Sequence, residues 1–219
     1  MAAYTFPLAI AEFMEVLPVQ QILFDTPDAT EISRTEGGEV ISADMGPMLW
    51  QGEIKLGTLT RDEAADLDAM LDILRPAGRT FLCYDTRRPA PLADPLGIVL
   101  GANVVTIASL PVGNREISLA GLPAWYRLTR GDYLAFDYGS PTRRALHKVV
   151  SRTAQADAAG SMPAFEVTPL IRPGAAVAAV VTLIKPCCKA RLMPGSVSKG
   201  ASFRTITRDA AFSFIQTLG

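Results

Sequence analysis

Turn-forming residues recur at short, even intervals through much of this chain, and that spacing limits what it can fold into. Arg130-Gly131-Asp132, Gly139-Ser140-Pro141 and the loop 157–163 cut residues 125–185 into segments of roughly 8 to 12 residues. Between them lie β-branched and aromatic runs. Tyr133-Leu134-Ala135-Phe136-Asp137-Tyr138 alternates, with three aromatics in six residues. Ala145 to Val150 reads as a strand with His147 and Lys148 in its middle. Phe165 to Ile171 is interrupted by Pro169, which predicts an edge strand. Val177 to Lys185 reads as another. This is the pattern of a small β-barrel or sandwich.

The first part of the chain carries the one convincing helix. Thr60 and Glu63 make a capping box, and Asp62 and Glu63 place negative charge in the first turn. Ala64, Leu67, Met70, Leu71 and Leu74 share one face, and Pro76 and Gly78 close the element. The pattern predicts a helix over 60–75 that covers one side of a sheet. The strands before it include residues 49–56, where Trp50, Ile54 and Leu56 share parity with Gly52 between them. Gly37-Gly38 signals a turn, and residues 4–24 read as short strands and loop. Thr80 to Tyr84 is a strand after the helix. The proline-rich stretch 85–97 is a loop and the expected domain junction. Val104 to Ile107 and Glu116 to Ala120 are further strands. Residues 203–207 and 211–215 are expected to return to the first domain and complete its sheet. The division is therefore 1–97, a β domain with the helix; 98–188, a second β domain; and 189–219, a return segment.

With 219 residues, the chain can bury a core without staples. Its 21 basic and 22 acidic residues leave a net charge of −1, which argues against nucleic-acid binding. Mean hydropathy is +0.22, a surplus that fits either core or surface hidden by partner subunits. No run approaches the roughly 20 apolar residues of a membrane-spanning helix, so no membrane role is expected. The start lacks the basic and apolar regions of a signal peptide, which predicts synthesis in a cytoplasm.

Catalytic signatures are absent. The single histidine, His147, reads as a packed or hydrogen-bonded residue. There is no nucleophile elbow, phosphate loop, dinucleotide fingerprint or zinc-protease motif. Cys83, Cys187 and Cys188 are odd in number and read as structural thiols; neighbouring strand side chains point oppositely and cannot easily clasp one metal. Asp62, Glu63, Asp66 and Asp68 read as a solvated helix face. Asp132 and Asp137 flank one strand, but nothing brings them together as a glycosidase pair. Arg87-Arg88 and Arg143-Arg144 read as solvated loop charges. Trp125, Tyr126, Tyr133, Phe136 and Tyr138 read as barrel core, with a sugar-binding face as the competing possibility. The expected site is therefore empty of catalytic, cofactor-binding and metal-ligating residues, and no enzyme is expected.

Two stretches carry a resemblance. Leu59-Thr60-Arg61-Asp62-Glu63-Ala64, between the Trp50 strand and Phe81-Leu82-Cys83-Tyr84-Asp85, resembles the N-terminal domain of tailed-phage distal tail proteins. The second runs from Leu128-Thr129-Arg130-Gly131-Asp132-Tyr133-Leu134 through Ala145-Leu146-His147-Lys148-Val149 and Ala156-Asp157-Ala158-Ala159-Gly160. It ends at Val167-Thr168-Pro169-Leu170-Ile171-Arg172-Pro173 and is similar to a module of phage tail-tip proteins. The siphophage-like or gene-transfer-agent-like distal tail family implies a mostly β (α+β) fold. It would comprise an N-terminal β-sandwich or split barrel with one helix, plus a small β-barrel or β-sandwich, galectin- or OB-like. It implies a structural subunit of a homo-oligomeric ring, a hexamer, that joins the tail tube protein to the hub or baseplate protein in the virion. It carries over no catalytic residue. Residues 190–219 match no motif of that family. The alternatives are a carbohydrate-binding module and a cell-wall hydrolase carried on a tail.

Overall fold

A computed structural model describes residues 4–28 and 30–219. The start Met1-Ala2-Ala3, read above for a signal peptide, lies outside the described residues. A 3-10 turn at Ile10–Glu12 precedes β1 (Val19–Asp25). β2 (Thr30–Arg34) and β3 (Val40–Asp44) form a hairpin, and β4 (Gln51–Leu56) returns against β1. β5 (Leu59–Thr60) leads into α1 (Arg61–Leu74), and β6 (Phe81–Cys83) follows. Next come β7 (Val105–Ser109), β8 (Glu116–Ala120), β9 (Arg127–Thr129), β10 (Tyr133–Tyr138), β11 (Arg143–Val149), β12 (Thr153–Gln155), β13 (Met162–Thr168) and β14 (Val180–Thr182). The chain closes with β15 (Cys188–Leu192), β16 (Ala201–Ser202), β17 (Ile206–Arg208) and β18 (Ala211–Gln216). Among the described residues the protein is mostly β, with one α-helix.

Two sheets dominate. The first has the order β1-β4-β18-β15-β6, all antiparallel. Strands from the end of the chain thus sit between β4 and β6. One face of this sheet is apolar because the strands alternate: Ile22 and Phe24, Ile54 and Leu56, Phe212 and Phe214 are buried. α1 lays Leu67, Leu71 and Leu74 into the same core. Its start is built as the capping box requires. The Glu63 N–H donates to Thr60 Oγ1 at 3.3 Å, and Glu63 Oε2 accepts the Thr60 N–H at 2.8 Å. The Thr60 N–H and, at 2.9 Å, the Thr60 hydroxyl, both donating to Glu63 Oε2, hold that carboxyl below its ordinary range. Gly52 explains itself here: a Cβ would stand 1.8 Å from the Leu23 carbonyl oxygen across the β1–β4 pairing.

The second sheet is a closed, antiparallel, six-stranded barrel in the order β10-β11-β13-β8-β7-β14. Its interior holds Ile107, Ile117, Leu119, Leu134, Phe136, Val149, Phe165 and Val167. The short ribbon β9–β12 adds Leu128 and Ala154 to that core. Closure corrects the edge-strand expectation. β13 is flanked by β11 and β8, so it has no free side. Pro169 falls just past its end. Pro163 is tolerated inside because the register shifts between Met162 and Phe165, a bulge that frees a residue from the ladder. The 177–185 strand shrinks to Val180–Thr182, and the 203–207 strand moves to Ile206–Arg208.

Candidate functional site

The two sheets meet through a dense junction. The Trp50 Nε1–H donates 2.7 Å to the Leu146 carbonyl oxygen of the barrel. Phe24 and Trp50 pack edge-on to Tyr133, at 6.1 and 5.6 Å between ring centroids. Lys148 Nζ lies 5.3 Å from the Trp50 ring centroid and 5.7 Å from that of Tyr133. The Arg172 guanidinium donates 3.0 Å to the Met48 carbonyl oxygen.

The proline-rich segment after β6 adds charge to this junction. Asp85, buried, accepts from Arg87 Nη2 at 2.8 Å and from the Tyr133 hydroxyl at 3.1 Å. Burial and the neighbouring Asp85 carboxylate push the Tyr133 phenol up. Asp132, fully buried, accepts from Arg88 Nη1 at 2.9 Å, the Leu92 N–H at 3.0 Å and the Thr129 N–H at 2.7 Å. The expectation of solvated arginines is therefore corrected for Arg88 and Arg144, while Arg87 and Arg143 are exposed. Arg88 neutralises a buried carboxylate, and Arg143 and Arg144 open β11 rather than a loop. Arg144 binds Asp137 at 3.1 Å and the Cys187 carbonyl oxygen at 3.1 Å. Arg88 and Arg144 turn inward because the junction buries a carboxylate and a carbonyl that need donors.

The residues weighed for chemistry are not brought together. His147 is buried, stacked on Phe136 at 5.3 Å, with Nδ1 2.7 Å from the Pro169 carbonyl oxygen. Desolvation pushes its pKa down to about 4, so the ring is neutral at pH 7. Its Nε2 meets no partner among the described residues. Asp132 precedes β10 and Asp137 lies near its end, roughly 17 Å apart along an extended strand, and each is tied to its own arginine. Cys83 and Cys188 face each other across the β6–β15 pairing. All three thiols are free and buried, and burial pushes all three up, away from the reactive thiolate. No group of three potential metal ligands occurs among the described residues.

Tyr126, Tyr133, Phe136 and Tyr138 are buried, which removes them from any sugar-binding face. Trp125 alone of that cluster is exposed, at 62 %. Its backbone is held at φ +62, and it borders an open cavity of about 420 Å³ with Gln155, Asp157, Ser161 and Pro163.

The most conspicuous surface feature is one that periodicity did not single out. The β2–β3 hairpin is solvent-exposed at every described residue of both strands. Ile32 and Val40 lie on one face and Ile41 on the other, by the register Ile32↔Ser42, Ser33↔Ile41 and Arg34↔Val40. The available signal was Ile32, Val40 and Ile41 placed about Gly37-Gly38, whose second glycine takes φ +82. A second exposed apolar set, Leu92, Leu96, Ile98, Val99 and Val104, lies on the segment that enters the barrel.

The chain matches no protein-family model and no curated protein.

Proposed function

We infer that the chain is a structural subunit of a phage tail tip, a ring component between tail tube and hub, rather than an enzyme. The observation that supports this is the exposed β2–β3 arm. A two-stranded ribbon is marginal in water unless one face is covered, yet this arm exposes Ile32, Val40 and Ile41 and covers none of them. Exposed apolar side chains on projecting strands mark surfaces for protein partners. The tail-tip assignment itself rests on the resemblance of residues 59–85 and 128–173. Light scattering of the purified protein, with negative-stain images, tests the reading. Closed rings of several copies are expected; a monomer at millimolar concentration overturns it.

One observation favours a second reading, glycan contact. Trp125 offers a bare ring beside Gln155, Asp157 and Ser161. An indole face stacks on the C–H side of a sugar while amide and carboxylate pair with its hydroxyls. Binding on a glycan array that Trp125→Ala abolishes, with an unchanged circular dichroism spectrum, supports this role. Equal binding by the variant, or none by either protein, removes it.

A further inference from the structure

We propose that the β2–β3 arm of one copy docks in the groove between α1 and the β16–β17 turn of the next copy, making a head-to-tail contact. The inference rests on the ring reading above and names the surfaces that build the ring. The arm is acidic. Between residues 28 and 45 it carries Asp28, Glu31, Glu36, Glu39 and Asp44 against Arg34. The groove holds about 440 Å³ and is bordered by Arg61, Lys199 and Arg204, with exposed Phe203 at its lip and Leu59, Ala64 and Leu67 in its wall. Lys199 is already bound to Asp68 at 3.1 Å. Arg61 and Arg204 have no ion-pair partner among the described residues. An acidic ribbon bearing exposed Ile32, Val40 and Ile41 therefore faces a surface of opposite charge that also exposes apolar area.

Position makes the contact intermolecular. The arm leaves the first sheet at the start of β4, whereas the groove begins three residues past its end, at Leu59 in β5. β4 has six residues, about 20 Å of extended chain. Arm and groove thus sit at opposite ends of one strand, and the arm projects away from its own groove. Two different, complementary patches on one chain form a heterologous interface, which closes into a ring when the rotation permits.

The test uses the full-length protein. Glu36→Lys/Glu39→Lys at the arm tip and Arg61→Glu/Arg204→Glu at the groove change only exposed side chains. Each double variant should shift the assembly midpoint, read by light scattering across a dilution series, to at least about tenfold higher concentration. Mixing the two variants should restore assembly, because the swapped charges complement one another. Circular dichroism checks the fold of each, and the mixing arm guards against a variant that simply misfolds, since misfolded protein is not rescued. Wild-type rings with unchanged assembly of both variants overturn the arm–groove contact and leave the ring reading standing. Variants weakened but not rescued by mixing also overturn it. A monomeric wild type overturns both.

Discussion

Asp132 is the most deeply buried carboxylate among the described residues. It has no exposed surface and satisfies Arg88, two backbone N–H groups and the Thr129 hydroxyl at once. Removing it leaves the Leu92 and Thr129 amides without an acceptor and Arg88, still partly in water, without its counter-charge. Asp132→Ala should therefore cost about 3 kcal/mol in urea unfolding, the low end of a broken buried pair because Arg88 retains some solvent. A change under about 0.5 kcal/mol would refute this account of the junction. His147 permits a cleaner measurement, since it is the only histidine. Its folded pKa of about 4 lies below the ordinary 6.5, so the unfolded chain takes up the proton first as pH falls. The buried neutral ring's contribution is complete above pH 6.5. It is lost progressively as pH falls from 6.5 to 4, by about 3 kcal/mol in all. The imidazole NMR resonance should titrate with a midpoint near 4, and a midpoint near 6.5 would contradict the buried placement.

Among elements, β4 is the most constrained. It pairs with β1 on one side and β18 on the other, with Gly52 at the crowded point. Gly52→Ala puts a methyl group 1.8 Å from a backbone oxygen that cannot swing aside as a side chain does. Its expected cost is about 3 kcal/mol or more, or failure to fold, because strand pairing must shift. A fully stable Gly52→Ala protein would mean that β1 and β4 are not paired in this register. The same ribbon continues outward as β2 and β3, where every constraint is relaxed. The contrast is one of cover: the inner half is held by Phe24, Trp50 and Phe214, while the outer half rests on its own hydrogen bonds and exposed side chains. An element with so little support is suited to finding its packing on another molecule.

At the scale of the molecule, the two sheets share a core rather than a hinge. Tyr133, Ala135 and Leu146 belong to barrel strands, yet they pack with the Trp50 and Phe24 cluster of the first sheet. The chain leaves that sheet after β6, builds the barrel, and returns as β15 opposite β6. Neither unit can open without exposing side chains of the other. Calorimetry should show one unfolding transition, with calorimetric and van't Hoff enthalpies equal. Two resolved transitions would show that the junction is weaker than its contacts indicate.

Local patterns carried a good part of the fold. The β-rich class followed from short alternating runs between turns, and α1 from its cap and its leucine spacing, because both signals are written in neighbouring residues. Tyr126, Phe136 and Tyr138 are barrel core as their pattern implied, while Tyr133 is buried in the cluster of the first sheet instead. Long-range neighbours were not legible. Pro169 looked like an edge marker until barrel closure flanked its strand on both sides. Arg88 and Arg144 looked solvated until buried Asp132 and the Cys187 carbonyl arrived from distant segments. The β2–β3 arm drew no notice, since its distinction is what fails to cover it. Periodicity reports which face of a segment prefers apolar company; which residues supply that company, and which are left bare, depends on contacts between segments far apart in the chain.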